Sequence, residues 1–421
     1  MVSALALLLI VPLLGITAGS PLFHAPDLRP SRHIGTFSRI HSPTELRRLR
    51  VPDSGNNRRR RGASLLDIRN DGRPAVEVAF GSQSFFLEVD TGSANVWVAS
   101  STLTCDPVGS CYFGSGGFEA DSSTQPLLEQ HFNATYEYGQ WANGYVIDES
   151  LSFAGITVQG QKVGIVTSGG DIGDGTTSGI LGVAFGPSAI YSGSNPKFDG
   201  ANNRLQYSVV MNTIFDVQGL TSSYFSLALS RDASQTGFGG YLAIGGVPDH
   251  TDPRVNAATT FASSPILIDP NFDAAEPSLY TVDIGGVFWY GNDDTTSGSD
   301  TENIKFVIDS GAAFSYVTPD TAAAINGLFD PPGSIVDGSW EVGCGATPPS
   351  VQYVIGGQAF KVNLADMIHQ QSINQGCLSA FQTMSPGGYQ SLGDNLFRNT
   401  LIVFDWGEMQ LHLAARPDYE S

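Results

Sequence analysis

Basic residues are scarce in this chain. Its 421 residues include 21 Lys and Arg against 41 Asp and Glu, which gives a formal net charge of −20 at pH 7. Residues 20–61 hold ten of the basic residues, all Arg, with only three acidic ones. Residues 62–421 therefore keep 11 basic and 38 acidic residues, a net charge of −27. Binding to nucleic acid needs a basic surface, so we expect no nucleic-acid partner.

Long apolar runs are absent except at the start of the chain. Residues 4–16 read ALALLLIVPLLGI and lead into small residues, which is typical of a secretory signal peptide over residues 1–19. A membrane anchor is the alternative, but the run is short for a bilayer span and no stop-transfer pattern follows it. We therefore predict a soluble, exported protein without a membrane partner. It is secreted to the extracellular space or, alternatively, delivered to a vacuole.

Cysteine is rare as well. Four Cys in an exported chain favour two disulfides, and the sequence alone allows three pairings. They are Cys105, Cys111, Cys344 and Cys377. These positions are dispersed, and the seven His show no ligand spacing with them, so we predict no metal site and no cofactor.

The Arg-rich segment ends in Arg58–Arg61. A basic run can be a solvated tail, but its place between a signal peptide and an acidic domain favours a propeptide over residues 20–61, cleaved after Arg61. A segment of charge +7 is attracted to a domain of charge −27. We expect this attraction to hold the segment on the domain until cleavage.

The remaining 360 residues are too many for one hydrophobic core and fit two lobes, at 62–250 and 251–421. Short β-branched and aromatic runs broken by Gly, Asn, Asp and Ser predict a mainly β fold. Helical signals are few, at 205–218, 318–329 and 395–399. Two polar stretches, 186–204 and 291–303, are interpreted as surface insertions without core content.

Two similar motifs lie 219 residues apart. EVDTGSANVWV carries Asp90 and KFVIDSGAAF carries Asp309, and in each a hydrophobic strand leads into Asp-(Thr/Ser)-Gly. One copy would be compatible with an ordinary Asp-Gly turn. Two copies indicate an internal duplication, in which a carboxylate stands at the end of a buried strand in each half. Burying a charge costs free energy, so its presence at both places indicates a functional role.

This pattern resembles the paired active-site motifs of the pepsin-like aspartic proteases, of the secreted fungal type. Each Asp motif is followed by an apolar-Gly element, at Ile180–Gly182 and at Ser391–Gly393, and the segment Tyr136–Trp141 resembles the flap hairpin that closes over substrate. The resemblance covers about residues 75–414. It implies a bilobal pepsin-like fold with two β-barrel-like lobes and a central cleft.

The resemblance also assigns roles to single residues. Asp90 and Asp309 are the catalytic pair, which shares a proton and activates a water for peptide hydrolysis. Supporting roles are expected for Thr91 and Ser310, which brace the two loops, for Ser93, and for Gly92 and Gly311, which allow close backbone approach. Flap and cleft positions are expected for Tyr138, Gly139, Trp97 and Tyr280. One disulfide is expected in each lobe.

Further partners follow from the same resemblance. We expect a zymogen acting on proteins or peptides at acidic pH, inhibited by its own propeptide and by pepstatin-type compounds, and monomeric because one chain supplies both motifs. Arg47 and Arg48 are candidates to reach the catalytic carboxylates, where the family usually has Lys. The sequon at Asn133 is a glycosylation candidate with an outward-facing glycan.

Two departures from the family pattern stand out. Ala312 occupies a position that often carries a hydroxyl, as Ser93 does in the first copy. Without a donor there, Asp309 should be the harder of the two carboxyls to ionise. Trp141 follows the flap where small residues are more usual, and it either narrows the cleft, contacts substrate or packs outside.

Two other functional classes fit parts of this pattern. A catalytically silent, protease-like binding or inhibitor protein typically lacks part of one Asp motif, whereas both motifs are intact here. A glycosidase also uses two carboxylates but explains neither the duplication nor the flap. The sequence therefore favours an aspartic endopeptidase.

Overall fold

The structure is a computed structural model of the chain. It describes residues 33–37, 65–68 and 73–416, apart from positions 115, 138, 218–219, 221, 231–238, 269–276, 293–294, 303 and 371–375. Four positions to which the sequence assigns roles, Tyr138, Arg47, Arg48 and Arg61, lie outside the described residues.

The described part is built mainly from strands, as the sequence predicts. Those of the first half are β1 (His33–Phe37), β2 (Leu65–Ile68), β3 (Arg73–Phe80), β4 (Gln83–Asp90), β5 (Val96–Cys105), β6 (Pro126–Thr135), β7 (Trp141–Phe153), β8 (Ile156–Gly170), β9 (Gly179–Gly182), β10 (Ile190–Ser192), β11 (Tyr224–Leu229) and β12 (Gly240–Ile244).

The strands of the second half are mostly shorter. They are β13 (Ala262–Pro265), β14 (Thr281–Asp283), β15 (Gly286–Tyr290), β16 (Ser297–Asp300), β17 (Lys305–Ile308), β18 (Ser315–Val317), β19 (Ser334–Val336), β20 (Ser339–Val342), β21 (Ser350–Ile355), β22 (Gln358–Lys361), β23 (Ile368–Gln370), β24 (Cys377–Ser379), β25 (Phe381–Thr383), β26 (Ser391–Leu392), β27 (Thr400–Asp405) and β28 (Gln410–Ala415).

The described helices are short and fall inside the three predicted helical stretches or at their edge. They are α1 (Val210–Val217), α2 (Pro319–Asn326) and α3 (Asp394–Phe397), with single 3₁₀ turns at Pro196–Phe198 and Leu364–Asp366. Thr318 caps α2, since its hydroxyl accepts a hydrogen bond from the Thr321 amide, and Pro319 occupies the first helical position. No described helix is long and apolar enough to cross a membrane.

The first lobe is organised by a nine-stranded sheet with the order β10-β6-β7-β8-β5-β9-β4-β3-β2. Strand β4 shows why the chain folds in this way, because Phe85, Leu87 and Val89 alternate along it and all three are buried. This alternation fixes the register that delivers Asp90 to the end of the strand.

The second lobe carries three smaller sheets. Their orders are β14-β17-β26-β18-β25, β16-β15-β21-β22 and β19-β20-β24-β23. Strand β17 reads KFVI, and its last three residues are buried, so Asp309 follows the end of an apolar strand as Asp90 does.

A six-stranded sheet joins the two halves of the chain. Its order is β1-β12-β11-β27-β28-β13, so strands from before residue 245 lie beside strands from after residue 261. Strand β1 falls within the predicted propeptide and pairs antiparallel with β12 over five residues, from His33 opposite Ile244 to Phe37 opposite Gly240. The central sheet therefore has an edge strand from the segment before Arg61.

Neither polar insertion is free of regular structure. Residues 291–303 contain β16, which pairs with β15, and Asp300 accepts a hydrogen bond of 2.8 Å from the Thr321 hydroxyl of α2. Residues 186–204 contain β10, which pairs with β6. The prediction of insertions without core content is wrong for 186–204, because Ala189 and Ile190 are buried in a hydrophobic cluster of the first lobe. The described residues of 291–303 include no buried side chain, in agreement with that prediction.

Candidate active site

The two Asp loops are held by equivalent strand pairings. Strand β4 runs parallel to β9, with Asp90 opposite Gly182. Strand β17 runs parallel to β26, with Ile308 opposite Leu392. Each apolar-Gly element thus supports the Asp loop of its own lobe, as the resemblance predicts.

Hydrogen bonds join the two loops across 219 residues of sequence. The Ser310 amide donates to the Thr91 hydroxyl at 2.8 Å, and the Thr91 amide donates to the Ser310 hydroxyl at 3.1 Å. Each hydroxyl then donates to the strand before the opposite Asp, Thr91 to the Ile308 carbonyl at 2.8 Å and Ser310 to the Val89 carbonyl at 2.7 Å. Both side chains are fully buried, so this reciprocal brace holds the two carboxyls at a fixed separation.

The glycines of the loops allow the closest approach. A Cβ added at Gly92 would lie 2.5 Å from the Asp309 carboxyl carbon, and one added at Gly311 would lie 2.5 Å from Asp90 Oδ1. The Gly92 amide donates to Asp90 at 2.7 Å and the Gly311 amide donates to Asp309 at 2.8 Å. Any side chain at either position would therefore separate the carboxyls.

The carboxyl of Asp309 is difficult to ionise in the folded protein. Burial raises the pKa of Asp309 well above its usual range, and the neighbouring charge of Asp90 raises it further. A hydrogen bond from protonated Asp309 to Asp90 and the charge of Glu88 contribute less, in the same direction. The raised pKa agrees with the prediction that Asp309 is hard to ionise, although burial rather than the missing hydroxyl is its largest cause.

The two loops differ in the residue three positions after the Asp. The Ser93 hydroxyl donates to Asp90 Oδ2. Ala312 occupies the equivalent place beside Asp309 and has no hydroxyl to donate. Asp90 therefore accepts one more hydrogen bond from its own loop than Asp309 does.

A hairpin between β6 and β7 forms a flap beside the pair. Its tip is closed by hydrogen bonds between Tyr136 and Gln140 and between Gly139 and Tyr136, and Gly139 is exposed with a φ of 83°. The Trp97 indole donates to the Tyr136 hydroxyl at 2.7 Å. Burial and the charge of Asp90 raise the pKa of Tyr136, so its hydroxyl stays protonated.

Tyr136 is a functional candidate that the sequence does not single out. The sequence assigns the flap role to Tyr138, which lies outside the described residues. The signal that favours Tyr136 is physical, because the buried indole N–H of Trp97 needs an acceptor and Tyr136 supplies it.

The flap is also fastened to the second lobe. The Ser385 hydroxyl donates to Glu137 Oε1 at 2.7 Å across 248 residues of sequence. A Cβ added at Gly388 would lie 2.3 Å from the same oxygen, so the loop 385–388 lies directly against the flap. In this conformation the flap closes one side of the cleft.

Two neighbouring cavities share Gly92 and the flap residues Tyr136 and Glu137 in their linings. The first, of about 330 Å³, is lined by both catalytic Asp and by aromatic and acidic side chains. Its lining includes Glu88, Trp97, Phe113, Glu137, Asp171, Asp174, Phe314 and Tyr389. The second, of about 530 Å³, is lined by Gly92, Ser93, Tyr136, Tyr191, Arg204 and the loop 385–389. Together they form the groove that a polypeptide would occupy.

The assignment of Tyr280 to the cleft is wrong. Its side chain is fully buried between the lobes, where its hydroxyl donates to the Val183 carbonyl at 2.6 Å and accepts from the Trp406 indole at 2.8 Å. Its ring packs against Phe185 and Phe404. Tyr280 thus packs between the lobes and lines neither cavity.

Two further expectations are corrected by local packing. Asn133 does not face outward, since its amide nitrogen donates to Asp199 at 2.7 Å and is covered by the insertion 186–204. Trp141 lines neither cavity, and its ring lies against Gly170 of β8. Of the three alternatives for Trp141, packing away from the cleft is the one observed.

Both disulfides join cysteines of the same lobe, as the resemblance implies. Cys105 bonds Cys111 with a Cα–Cα distance of 5.9 Å, and Cys344 bonds Cys377 with 5.1 Å. Among the described residues, no group of three or more His, Cys, Asp or Glu could hold a metal ion.

Two braced Asp loops under a flap, in a two-lobed β fold, define the class of aspartic peptidases. Comparison with known proteins agrees: the family model of the eukaryotic aspartyl proteases matches residues 74–416. The chain belongs to this family and is an aspartic-type endopeptidase acting on proteins or peptides.

Individual relatives extend over most of the chain. A probable aspartic-type endopeptidase of Aspergillus fumigatus is 30% identical over 401 residues, covering 89% of this chain and 88% of that protein. Cathepsin E of Mus musculus is 26% identical over 364 residues, covering 83% and 81%. The crystal structure of an aspartic proteinase from Irpex lacteus superposes with a TM-score of 0.62 at 15% identity, covering 82% of this chain and 95% of that one. The last likeness shows the fold.

Proposed function

We propose that this endopeptidase works at acidic pH through Asp90 and Asp309, which share one proton and activate a water molecule. The observation that carries the proposal is the reciprocal Thr91–Ser310 brace, which brings the two carboxyls together, with the raised pKa of Asp309 beside it. Two carboxyls in contact cannot both ionise easily, so the pair keeps a proton across acidic pH. The shared proton lets one carboxyl act as a base while the other acts as an acid.

The proposed mechanism assigns one role to each carboxyl. Ionised Asp90 accepts a proton from the water, which attacks the carbonyl carbon of the scissile peptide bond. Neutral Asp309 donates a hydrogen bond to the carbonyl oxygen and stabilises the negative charge that develops on it. A proton then passes to the leaving nitrogen, and the carbon–nitrogen bond breaks. Tyr136, held by Trp97, closes the flap over the bound chain.

Synthesis as a secreted zymogen belongs to the same proposal. The pairing of β1 with β12 supports a propeptide that docks on the central sheet and acts as an intramolecular inhibitor. Cleavage after Arg61 would release it. The apolar N-terminus supports export, to the extracellular space or alternatively to a vacuole. One chain supplies both Asp loops, which supports a monomeric enzyme.

The test is hydrolysis of denatured protein across pH 2 to 7, with and without pepstatin. The full chain is expressed with its signal peptide, and the mass of the secreted product checks for cleavage after Arg61. We expect cleavage at acidic pH that pepstatin blocks. A folded product that hydrolyses no protein at any pH would overturn the proposal and favour the binding-protein alternative.

A further inference from the structure

The insertion 186–204 folds onto the first lobe through one carboxylate. Asp199 accepts hydrogen bonds from His131 Nε2 at 2.8 Å, from the Asn133 amide at 2.7 Å and from the Asn203 amide at 3.2 Å. The other ring nitrogen of His131 contacts the Gly193 carbonyl at 2.8 Å. These hydrogen bonds attach the insertion to His131 and Asn133 of β6. They thereby fix the position of Asn203 and of Arg204, which follows it.

That residue is Arg204, whose orientation is fixed by Tyr191. The backbones of the two residues form a β-bridge. Arg204 Nη2 donates to the Tyr191 hydroxyl at 3.2 Å, and the guanidinium carbon lies 5.6 Å from the centre of the Tyr191 ring. The same ring stacks on His131 with 6.0 Å between ring centres.

The Arg204 side chain lines the second cavity together with Gly92, Ser93 and the flap. Among the described residues it makes no ion pair, and its Nε has no hydrogen-bond acceptor. The nearby carboxylate of Asp199 already accepts from three other side chains, and Glu137, also in this cavity, accepts from Ser385. A planar guanidinium in this setting matches the geometry of a carboxylate.

The first cavity has the opposite character. Six carboxyl-bearing residues line it, and in the described part of the chain no Lys, Arg or His does. They are Glu88, Asp90, Glu137, Asp171, Asp174 and Asp309. The second cavity shares only Glu137 with this set and adds the cation of Arg204, so an acidic side chain of a bound polypeptide is favoured there over the first cavity.

We propose that Arg204 is a specificity-determining residue that binds the carboxylate of an Asp or Glu side chain of the substrate, on one side of the scissile bond. The proposal rests on the proposed function, because it needs a polypeptide spanning both cavities. Free Asp and Glu side chains titrate near pH 4, so the preference should be absent at about pH 3 and should grow above pH 4.

The test compares peptides that carry Glu or Gln singly at each of the three positions on either side of one scissile bond. All have blocked termini, and a matched set with a free C-terminus separates side-chain from terminal carboxylates. Above pH 4.5 we expect kcat/KM to favour Glu over Gln by about tenfold at one position, equivalent to about 1.4 kcal/mol. At pH 3 the two peptides should be cleaved equally.

Two variants locate the effect. Arg204→Gln should remove the Glu preference while Gln peptides are still cleaved, and Arg204→Glu should favour Lys over Gln at the same position. Lys197→Gln is the matched control, since Lys197 is an exposed cation of the same insertion that lines neither cavity. It should retain the preference of the unmodified enzyme.

The outcomes separate this proposal from the proposed function. Equal cleavage of Glu and Gln peptides by the unmodified enzyme at every position and pH would overturn it, and so would a preference that survives in Arg204→Gln. If the Arg204 variants fail to fold, the pH series on the unmodified enzyme still decides. Absence of hydrolysis with every peptide would instead contradict the proposed function itself.

Discussion

The Asp90 and Asp309 loops are two copies of one motif in different surroundings. Both end an apolar strand, and the two share the reciprocal Thr91–Ser310 brace. They differ in side chains, because Ser93 donates to Asp90 whereas Ala312 cannot donate to Asp309. They differ also in their covering, since the flap that carries Tyr136 belongs to the first lobe. The duplicated backbone brings the carboxyls together, and the neighbours that are not duplicated give each carboxyl different surroundings.

Replacing either carboxyl should have the largest effect on activity. We expect Asp90→Asn and Asp309→Asn each to lower kcat at least about a thousandfold, because a single carboxyl cannot both accept the proton of the water and donate to the carbonyl oxygen. Steady-state hydrolysis of a peptide at the optimum pH measures the loss. Asp148→Asn is the control, since that carboxyl forms a surface pair with Lys162. A substantial rate in either dyad variant would show that the carboxyls do not act as a pair.

The same substitution at Asp309 should change the pH dependence of stability. The folded protein holds the Asp309 proton more tightly than the unfolded chain does, because burial raises its pKa. Its contribution to stability is therefore present at acid pH and is lost as the pH rises through that raised value. Asp309→Asn removes the titrating group, so the fall in Tm between pH 4 and pH 7 should be smaller than in the unmodified enzyme. If the fall in Tm is the same in the variant, ionisation of Asp309 does not cause it.

Removing either hydroxyl of the Thr91–Ser310 brace should destabilise the protein. Thr91→Val and Ser310→Ala each remove a hydroxyl that donates to one buried backbone group and accepts from another. A buried backbone group without a partner costs about 1–3 kcal/mol, so each variant should lower the free energy of unfolding by roughly that amount or more. Urea denaturation measures it.

Conservative exchanges serve as the controls for the brace. Thr91→Ser and Ser310→Thr keep the hydroxyl and should retain most of the stability and the activity. If Thr91→Val alone were damaging, the brace would not be reciprocal, and the symmetry between the loops would be only apparent.

The flap belongs to the first lobe, and its contact with Trp97 can be removed by a single substitution. Tyr136→Phe removes the acceptor of the buried Trp97 indole N–H, and we expect kcat/KM to fall roughly tenfold because the flap loses its fixed position. Tyr138→Phe is the matched comparison, two residues further along the sequence. A larger loss in Tyr138→Phe than in Tyr136→Phe would restore the assignment made from the sequence.

The sequence predicts the parts of this site that depend on local pattern. The Asp motifs, the bracing hydroxyls and the apolar-Gly elements are contiguous stretches, and duplication makes each copy evidence for the other. The contacts that it does not predict join residues far apart in sequence. Tyr280 is an example, because its ring is enclosed by Phe185 and Phe404. The three residues come from three separate segments of the chain.

The position of Arg204 beside the cleft cannot be predicted from the sequence for a related reason. A stretch rich in Gly, Ser and Asn is typical of a solvated loop, and nothing local shows that Asp199 fastens it beside the cleft. The identity of the flap tyrosine likewise depends on the register of the β6–β7 hairpin, in which Thr135 lies opposite Trp141. Composition and spacing do not determine that register.

The smallest expected effect restores the hydroxyl that the second loop lacks. In Ala312→Ser the new hydroxyl would lie where Ser93 lies relative to Asp90, and donation to ionised Asp309 would stabilise its charged form and lower its pKa. The catalytic pair would then lose its proton at lower pH. We expect the upper limb of the pH profile of kcat/KM to move to lower pH by about half a unit to one unit, which corresponds to the net contribution of a typical hydrogen bond, about 1 kcal/mol. Ser93→Ala is the complementary change, since it removes the corresponding donor from Asp90. An upper limb that stays in place in Ala312→Ser would mean that burial and the charge of Asp90 alone set the ionisation of Asp309. The difference between Ser93 and Ala312 would then have no consequence for the upper pH limit of activity.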